Sequence, residues 1–184
     1  MWEYGDRRQA QQIVANLWLG PYVAAKDANF MGKMTHVLIV ASESETKFLK
    51  PWFADRLVYK TLVLEESPFA PIFPALGEGI QWLHGVIKEG GRVFVHGNSG
   101  MNRSAAVAIA YLIGCENLTF EEAQRHVQEV RQCLSLSDSL RGQLRAFEPY
   151  VRAFQQSVSA TTSTRKRGHD DITPEPTELF FEDK

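Results

Sequence analysis

Apolar and polar positions along the chain divide it into short strand-like runs and longer helix-like stretches that alternate. "IVANLWLGPY" (13–22) predicts a strand pair ended by Gly20 and Pro21. "THVLIVA" (35–41) is a short β-rich apolar run, the pattern of a buried strand, and "LVYKTLVL" (57–64) predicts another. Pro68, Pro71 and Pro74 then exclude regular structure until a helix can start near Ala75. That helix, over about 75–89, carries Leu76, Ile80, Leu83 and Ile87 on one face and stops at Gly90 and Gly91. "RVFVH" (92–96) predicts the next buried strand. From Arg103 to Ile113 nearly every residue is apolar, which predicts a helix buried on all sides. Thr119 followed by Glu122 is a capping box for "FEEAQRHVQEVRQ". Leu140, Leu144, Phe147, Val151 and Phe154 mark a last amphipathic helix, in which Pro149 predicts a kink. The alternation defines one α/β domain over residues 1–156.

After Gln156 the pattern ends. "SVSATTST" is small and polar, "RKR" is basic, and "GHDDITPEPTELFFEDK" is acidic with two prolines, so residues 157–184 are expected to be a disordered polar and charged tail. The basic triplet is a candidate nuclear-import signal and Thr173-Pro174 a candidate phosphorylation site, each set against a plain solvated charge run. Residues 165–184 hold four basic and six acidic residues and so carry the whole formal charge of −2, leaving residues 1–164 neutral. A neutral body gives little counterion-release drive, so no nucleic-acid partner is expected.

Composition adds exclusions. With 184 residues, 44% hydrophobic and 23% charged, the chain has enough apolar material for one core. No apolar stretch is long enough to span a membrane and the start lacks a signal-peptide core, so no membrane partner and a cytoplasmic and nuclear location are expected. Cys115 and Cys133 lie in helix-like contexts, as packing thiols rather than a disulfide framework. The five histidines have no paired spacing, so neither a metal nor a cofactor is called for. Trp18, Trp52, Trp82, Phe94 and Tyr111 read as core or boundary aromatics, His84 and His126 as solvated helix positions. A monomer is expected.

The candidate chemistry lies in "VFVHGNSGMNRSAAVAIAY" (93–111). A buried strand running through a small-residue loop into a helix aims several backbone N–H groups at one point, at the positive end of the helix dipole. Gly97 and Gly100 let the backbone turn, and the planar fork of Arg103 can take two phosphate oxygens. The predicted phosphate-binding residues are therefore Gly97, Asn98, Ser99, Gly100, Met101, Asn102 and Arg103, with His96 and Ser104 as loop support. A nucleotide-binding P-loop fails on its glycine spacing and missing lysine, and no dinucleotide fingerprint is present. An ordinary tight turn leaves Arg103, at the start of a buried apolar helix, without a purpose.

"VHGNSGMNRSAA" resembles the signature loop of the cysteine-dependent dual-specificity protein phosphatases, His-Cys, five residues, then Arg-Ser, with Gly97 at the cysteine position. Glycine there marks the STYX pseudophosphatases of the protein-tyrosine phosphatase superfamily. "RRQAQQIVANLWLGPY", "THVLIV", "FLKPWF", "YKTLVL", "EGGRVFVHGNSG" and "QLRAFEPY" resemble segments of that family in the same order, over residues 1 to about 155. The resemblance implies a dual-specificity-phosphatase-like α/β domain, a central mixed sheet flanked by helices, with a phosphate-binding loop between a buried strand and a buried helix. It also implies catalytic inactivity. In active members the cysteine thiolate attacks phosphorus, the arginine binds the equatorial oxygens and an aspartate on another loop protonates the leaving oxygen. Gly97 cannot attack, and "LEESPFAPIFP" offers only Glu65 or Glu66 in place of the aspartate loop.

Removing a thiolate while Arg103 stays should, on this reading, tighten phosphate binding. The implied function is an inactive module that binds phosphorylated Ser, Thr or Tyr proteins or their regulators as competitor, anchor or scaffold in kinase and ubiquitin signalling. The implied partner classes are MAP kinases and an F-box ubiquitin-ligase receptor. The alternatives are a phosphate-independent interaction module with a merely structural loop, and a residual phosphatase. Two departures bear on the pocket: Met101 and Asn102 replace small residues, and "SLSDSL" (135–140) replaces a Pro-Asn turn, so Ser137 is expected to hold His96 less firmly than an asparagine.

Overall fold

The computed structural model describes residues 3–165, with side chains described as far as Gln156. Strands β1 (Gln11–Val14) and β2 (Leu17–Pro21) form an antiparallel pair, turned at Asn16 with φ 64°. A 3-10 turn (Tyr22–Lys26) and the short helix α1 (Ala28–Met31) follow. Then come β3 (His36–Ala41), β4 (Val58–Val63), α2 (Phe73–Lys88) and β5 (Val93–Gly97). Helices α3 (Arg103–Cys115), α4 (Phe120–Val130) and α5 (Asp138–Arg165) complete the described chain. The sheet order is β1-β2-β5-β3-β4. It is mixed, because β1 runs antiparallel while β2, β5, β3 and β4 pair in parallel.

Alternation within the central strands sends side chains to two cores. Leu17, Leu19, Leu38, Val40, Val93 and Val95 face the larger core with α2, α3, α4 and α5. Val37, Ile39 and Phe94 face a smaller one, roofed by the segment around α1 and by Leu49 and Leu57. Helix α3 lies between sheet and outer helices, and every residue from Ser104 to Ile113 is buried. Its alanines at 105, 106, 108 and 110 let neighbouring backbones approach.

Several local expectations meet a structural outcome. Helix α2 begins at Phe73, with Pro74 in its first turn, where a missing N–H costs nothing. Thr119 Oγ1 accepts from the Glu122 N–H while the Glu122 carboxylate accepts from the Thr119 N–H, a complete capping box. Helix α5 is continuous across Pro149. Its backbone also stays helical through residues 157–165, which were expected to open the tail; "SVSATTSTR" contains no Gly or Pro to stop it. Lys166, Arg167 and Thr173-Pro174 lie outside the described residues. His126 is half-buried rather than solvated, its Nε2 2.7 Å from the Ile13 carbonyl, so it ties α4 to β1.

Candidate functional site

The predicted loop runs from the C-terminal end of β5 into α3, in the middle of the parallel part of the sheet, where the carboxyl ends of strands open a crevice. Its backbone is held in one orientation. The Asn98 carbonyl accepts from the Tyr22 N–H at 3.0 Å, the Met101 carbonyl from the Ser135 N–H at 3.0 Å, and the Asn102 carbonyl from the Ala106 N–H at 2.8 Å. The Ser99 and Gly100 carbonyls accept from Arg131, at 3.0 and 2.7 Å. All five loop carbonyls thus point into the protein. Among the described residues, the N–H groups of residues 98–103 have no protein acceptor. Gly100 has φ +68°, and a Cβ there would lie 2.2 Å from the Gly20 carbonyl oxygen, so only glycine lets the loop rest on the end of β2.

Gly97 is buried, and a Cβ built on it would meet the Val40 oxygen at 3.0 Å and Ser104 Oγ at 3.4 Å. The position thus admits a side chain with a small shift, and its emptiness is a matter of sequence rather than of space. Asn98 and Ser99 are exposed at the mouth, Met101, Asn102 and Arg103 are half-buried and Ser104 is fully buried. His96 is fully buried, stacked between Tyr22 and Phe94 at centroid distances of 5.6 and 5.2 Å. Its Nδ1 lies 3.1 Å from the Gly97 carbonyl, and among the described residues Nε2 has no partner. Burial pushes its pKa down to about 4, so the ring is neutral at physiological pH. Ser137 does not hold it; the Ser137 N–H donates instead to Asn102 Oδ1 at 3.0 Å.

Sequence reasoning missed Glu45 and Arg131, and it named Glu66 only as a replacement for the aspartate, without its partner Asn102. Glu45, in the turn after β3, sits 2.5 Å from Arg103 Nη2 and also accepts from the Ser42 N–H. The expectation that binding tightens treated Arg103 as uncompensated; Glu45 returns the negative charge that the absent thiolate removes. Glu66 reaches the same rim, its carboxylate accepting from Asn102 Nδ2 at 2.6 Å, while Glu65 accepts from the Glu43 N–H. The segment "LEESPFAPIFP" therefore does bring a carboxylate to the loop, already engaged. Arg131 is the second missed residue. It is fully buried and no sequence motif marked it, although a cation at the end of an amphipathic helix, beside "QCLSLS", is an available signal.

No group of three or more His, Cys, Asp or Glu is placed to hold a metal among the described residues, and no described helix is long and apolar enough to cross a membrane. The mixed sheet, with its central strand feeding the loop into a buried helix, is a dual-specificity-phosphatase-like α/β architecture. The chain belongs to the dual-specificity phosphatase family, whose catalytic domain matches residues 17–149. Within that family it is similar to human serine/threonine/tyrosine-interacting protein, 30% identical over 188 residues, covering 92% of this chain and 84% of that protein. Serine/threonine/tyrosine-interacting protein A of Xenopus laevis is 32% identical over 151 residues, 80% of this chain and 68% of the relative. The crystal structure of human tyrosine phosphatase-like serine/threonine/tyrosine-interacting protein superposes with a TM-score of 0.73 at 31% identity, covering 78% of this chain and 97% of that one.

Proposed function

We propose that this domain binds phosphorylated Ser, Thr or Tyr segments of other proteins and does not hydrolyse them. The observation that carries the reading is the loop backbone: five carbonyls tied inward and six successive residues, 98–103, whose N–H groups have no protein acceptor among the described residues. Such a nest suits a tetrahedral dianion. The loss of reaction follows from Gly97, which offers no nucleophile, and from Glu66, whose carboxylate is spent on Asn102. Kinship with serine/threonine/tyrosine-interacting proteins supports a phosphatase-like interaction module.

Phosphorylated MAP kinases and an F-box ubiquitin-ligase receptor are the partner classes that the resemblance suggests, met by a monomer in cytoplasm and nucleus. A second reading, a phosphate-independent interaction module, has its own support, since Arg103 is already neutralised by Glu45. Calorimetric titration with one peptide in phosphorylated and unphosphorylated forms, with free phosphate assayed alongside, separates the two. The proposal expects binding of the phosphorylated form alone and no phosphate release. Equal binding of both forms favours the second reading, and phosphate release sinks both.

A further inference from the structure

Arg131 follows α4 at the far side of the loop from the cradle mouth and is 0% exposed. A buried guanidinium is normally met by a carboxylate. Here, among the described residues, every acceptor is neutral. Nε donates to the Gly100 carbonyl and Nη2 to the Ser99 and Arg7 carbonyls, at 2.7, 3.0 and 3.1 Å. Nη1 donates to the Gln9 carbonyl at 3.0 Å and to Gln11 Oε1. One planar fork thereby joins the N-terminal segment 7–11 to two consecutive peptide units of the loop. The other three loop carbonyls are tied by backbone N–H groups, so among the described residues Arg131 is the only side chain in that set.

The consequence is geometric. A peptide unit is planar, so fixing a carbonyl inward fixes the N–H of the next residue outward. Holding the Ser99 and Gly100 carbonyls orients the N–H groups of Gly100 and Met101, the middle of the nest. Without that hold, Gly100, already at φ +68°, is a position at which the backbone can turn over.

We propose that Arg131 is a positioning residue that holds the loop amides facing the anion site, acting from behind through the Ser99 and Gly100 carbonyls. The inference deepens the phosphate-binding reading but can be tested apart from it. Gly97→Cys places a thiol at the focus of the nest, and the ionisation of that thiol reports how the amides are aimed whether or not any phosphoprotein binds. Cys115 does not interfere, because burial pushes its thiol up to about 12, and Cys133 falls in a separate stretch of chain that mass spectrometry resolves. The other charged groups around the loop, Arg7, Glu45, Glu66 and Arg103, are common to all variants.

The experiment measures the pH dependence of iodoacetamide alkylation of the introduced thiol in Gly97→Cys, alone and combined with Arg131→Met or Arg131→Lys, with thermal melting recorded for each. In the parent the thiol should ionise below the usual value of about 8.5. Arg131→Met should weaken its ionisation about tenfold. Arg131→Lys keeps the charge but cannot hold both carbonyls from one plane, and a loss of roughly threefold or more is expected. Full retention in Arg131→Lys would overturn the positioning role in favour of charge alone, and this variant decides the matter if the methionine one does not fold. A lowered melting temperature with unchanged ionisation in Arg131→Met would show a strut with no bearing on the site. A thiol shift beside failed phosphopeptide binding would uphold Arg131 and remove the proposed function.

Discussion

In the proposed function Arg103 is the residue on which phosphate recognition turns, and it is shared with Glu45. Glu45 holds Nη2 at 2.5 Å, with side chains 20% and 26% exposed, so an incoming phosphate competes with a carboxylate that is partly screened by water. Glu45→Gln should strengthen phosphopeptide binding roughly fivefold, about 1 kcal/mol, measured by calorimetry. A weaker complex would mean that Glu45 aims Arg103 rather than competing for it. His96 makes a prediction of the opposite kind, about stability. Its pKa falls from 6.5 to about 4 on folding, chiefly by burial, so the unfolded chain takes up a proton that the folded chain refuses. The stabilisation is complete above about pH 6.5 and is lost as pH falls toward about 4, by up to about 3 kcal/mol. Urea melts across that window should show the slope, and His96→Phe should flatten it; an unchanged slope would place the proton elsewhere.

At the scale of elements, the site is made where three strand ends meet: β5 supplies the loop, β2 the surface on which Gly100 rests, and β3 the turn bearing Glu45. Gly100→Ala should cost about 2–4 kcal/mol, because a Cβ meets the Gly20 oxygen at 2.2 Å and the φ is positive. Chemical denaturation checks this, and a loss under about 1 kcal/mol would show a loop free to lift from β2. The elements themselves were legible, since each depends on its own residues: the apolar run of β3, the buried length of α3, the Thr119 box. Loop residues 96–104 were legible for the same reason, as contiguous chain. Glu45 and Arg131 were not, nor was the contact of Glu66 with Asn102, because these residues meet the loop from positions 58, about 30 and 36 residues away through tertiary folding alone. Nothing local distinguishes them from surface charges until the strands are ordered.

At the scale of the molecule, a dual-specificity phosphatase domain carries a glycine, Gly97, where its loop leaves β5, and the proposed reading joins phosphate binding to the lack of a nucleophile. Gly97→Cys should restore weak turnover of aryl phosphates, whose leaving oxygens need little protonation, and almost none of phosphothreonine peptides; robust turnover of the latter would show Glu66 serving as the acid. Phosphate-directed binding is decided by titration of the otherwise unaltered domain and of Arg103→Ala with one phosphopeptide and its unphosphorylated form. Only the phosphorylated peptide should bind, and Arg103→Ala should weaken it about tenfold or more. Binding that ignores both the phosphate and Arg103 would contradict it, and would place the function on another surface of the fold.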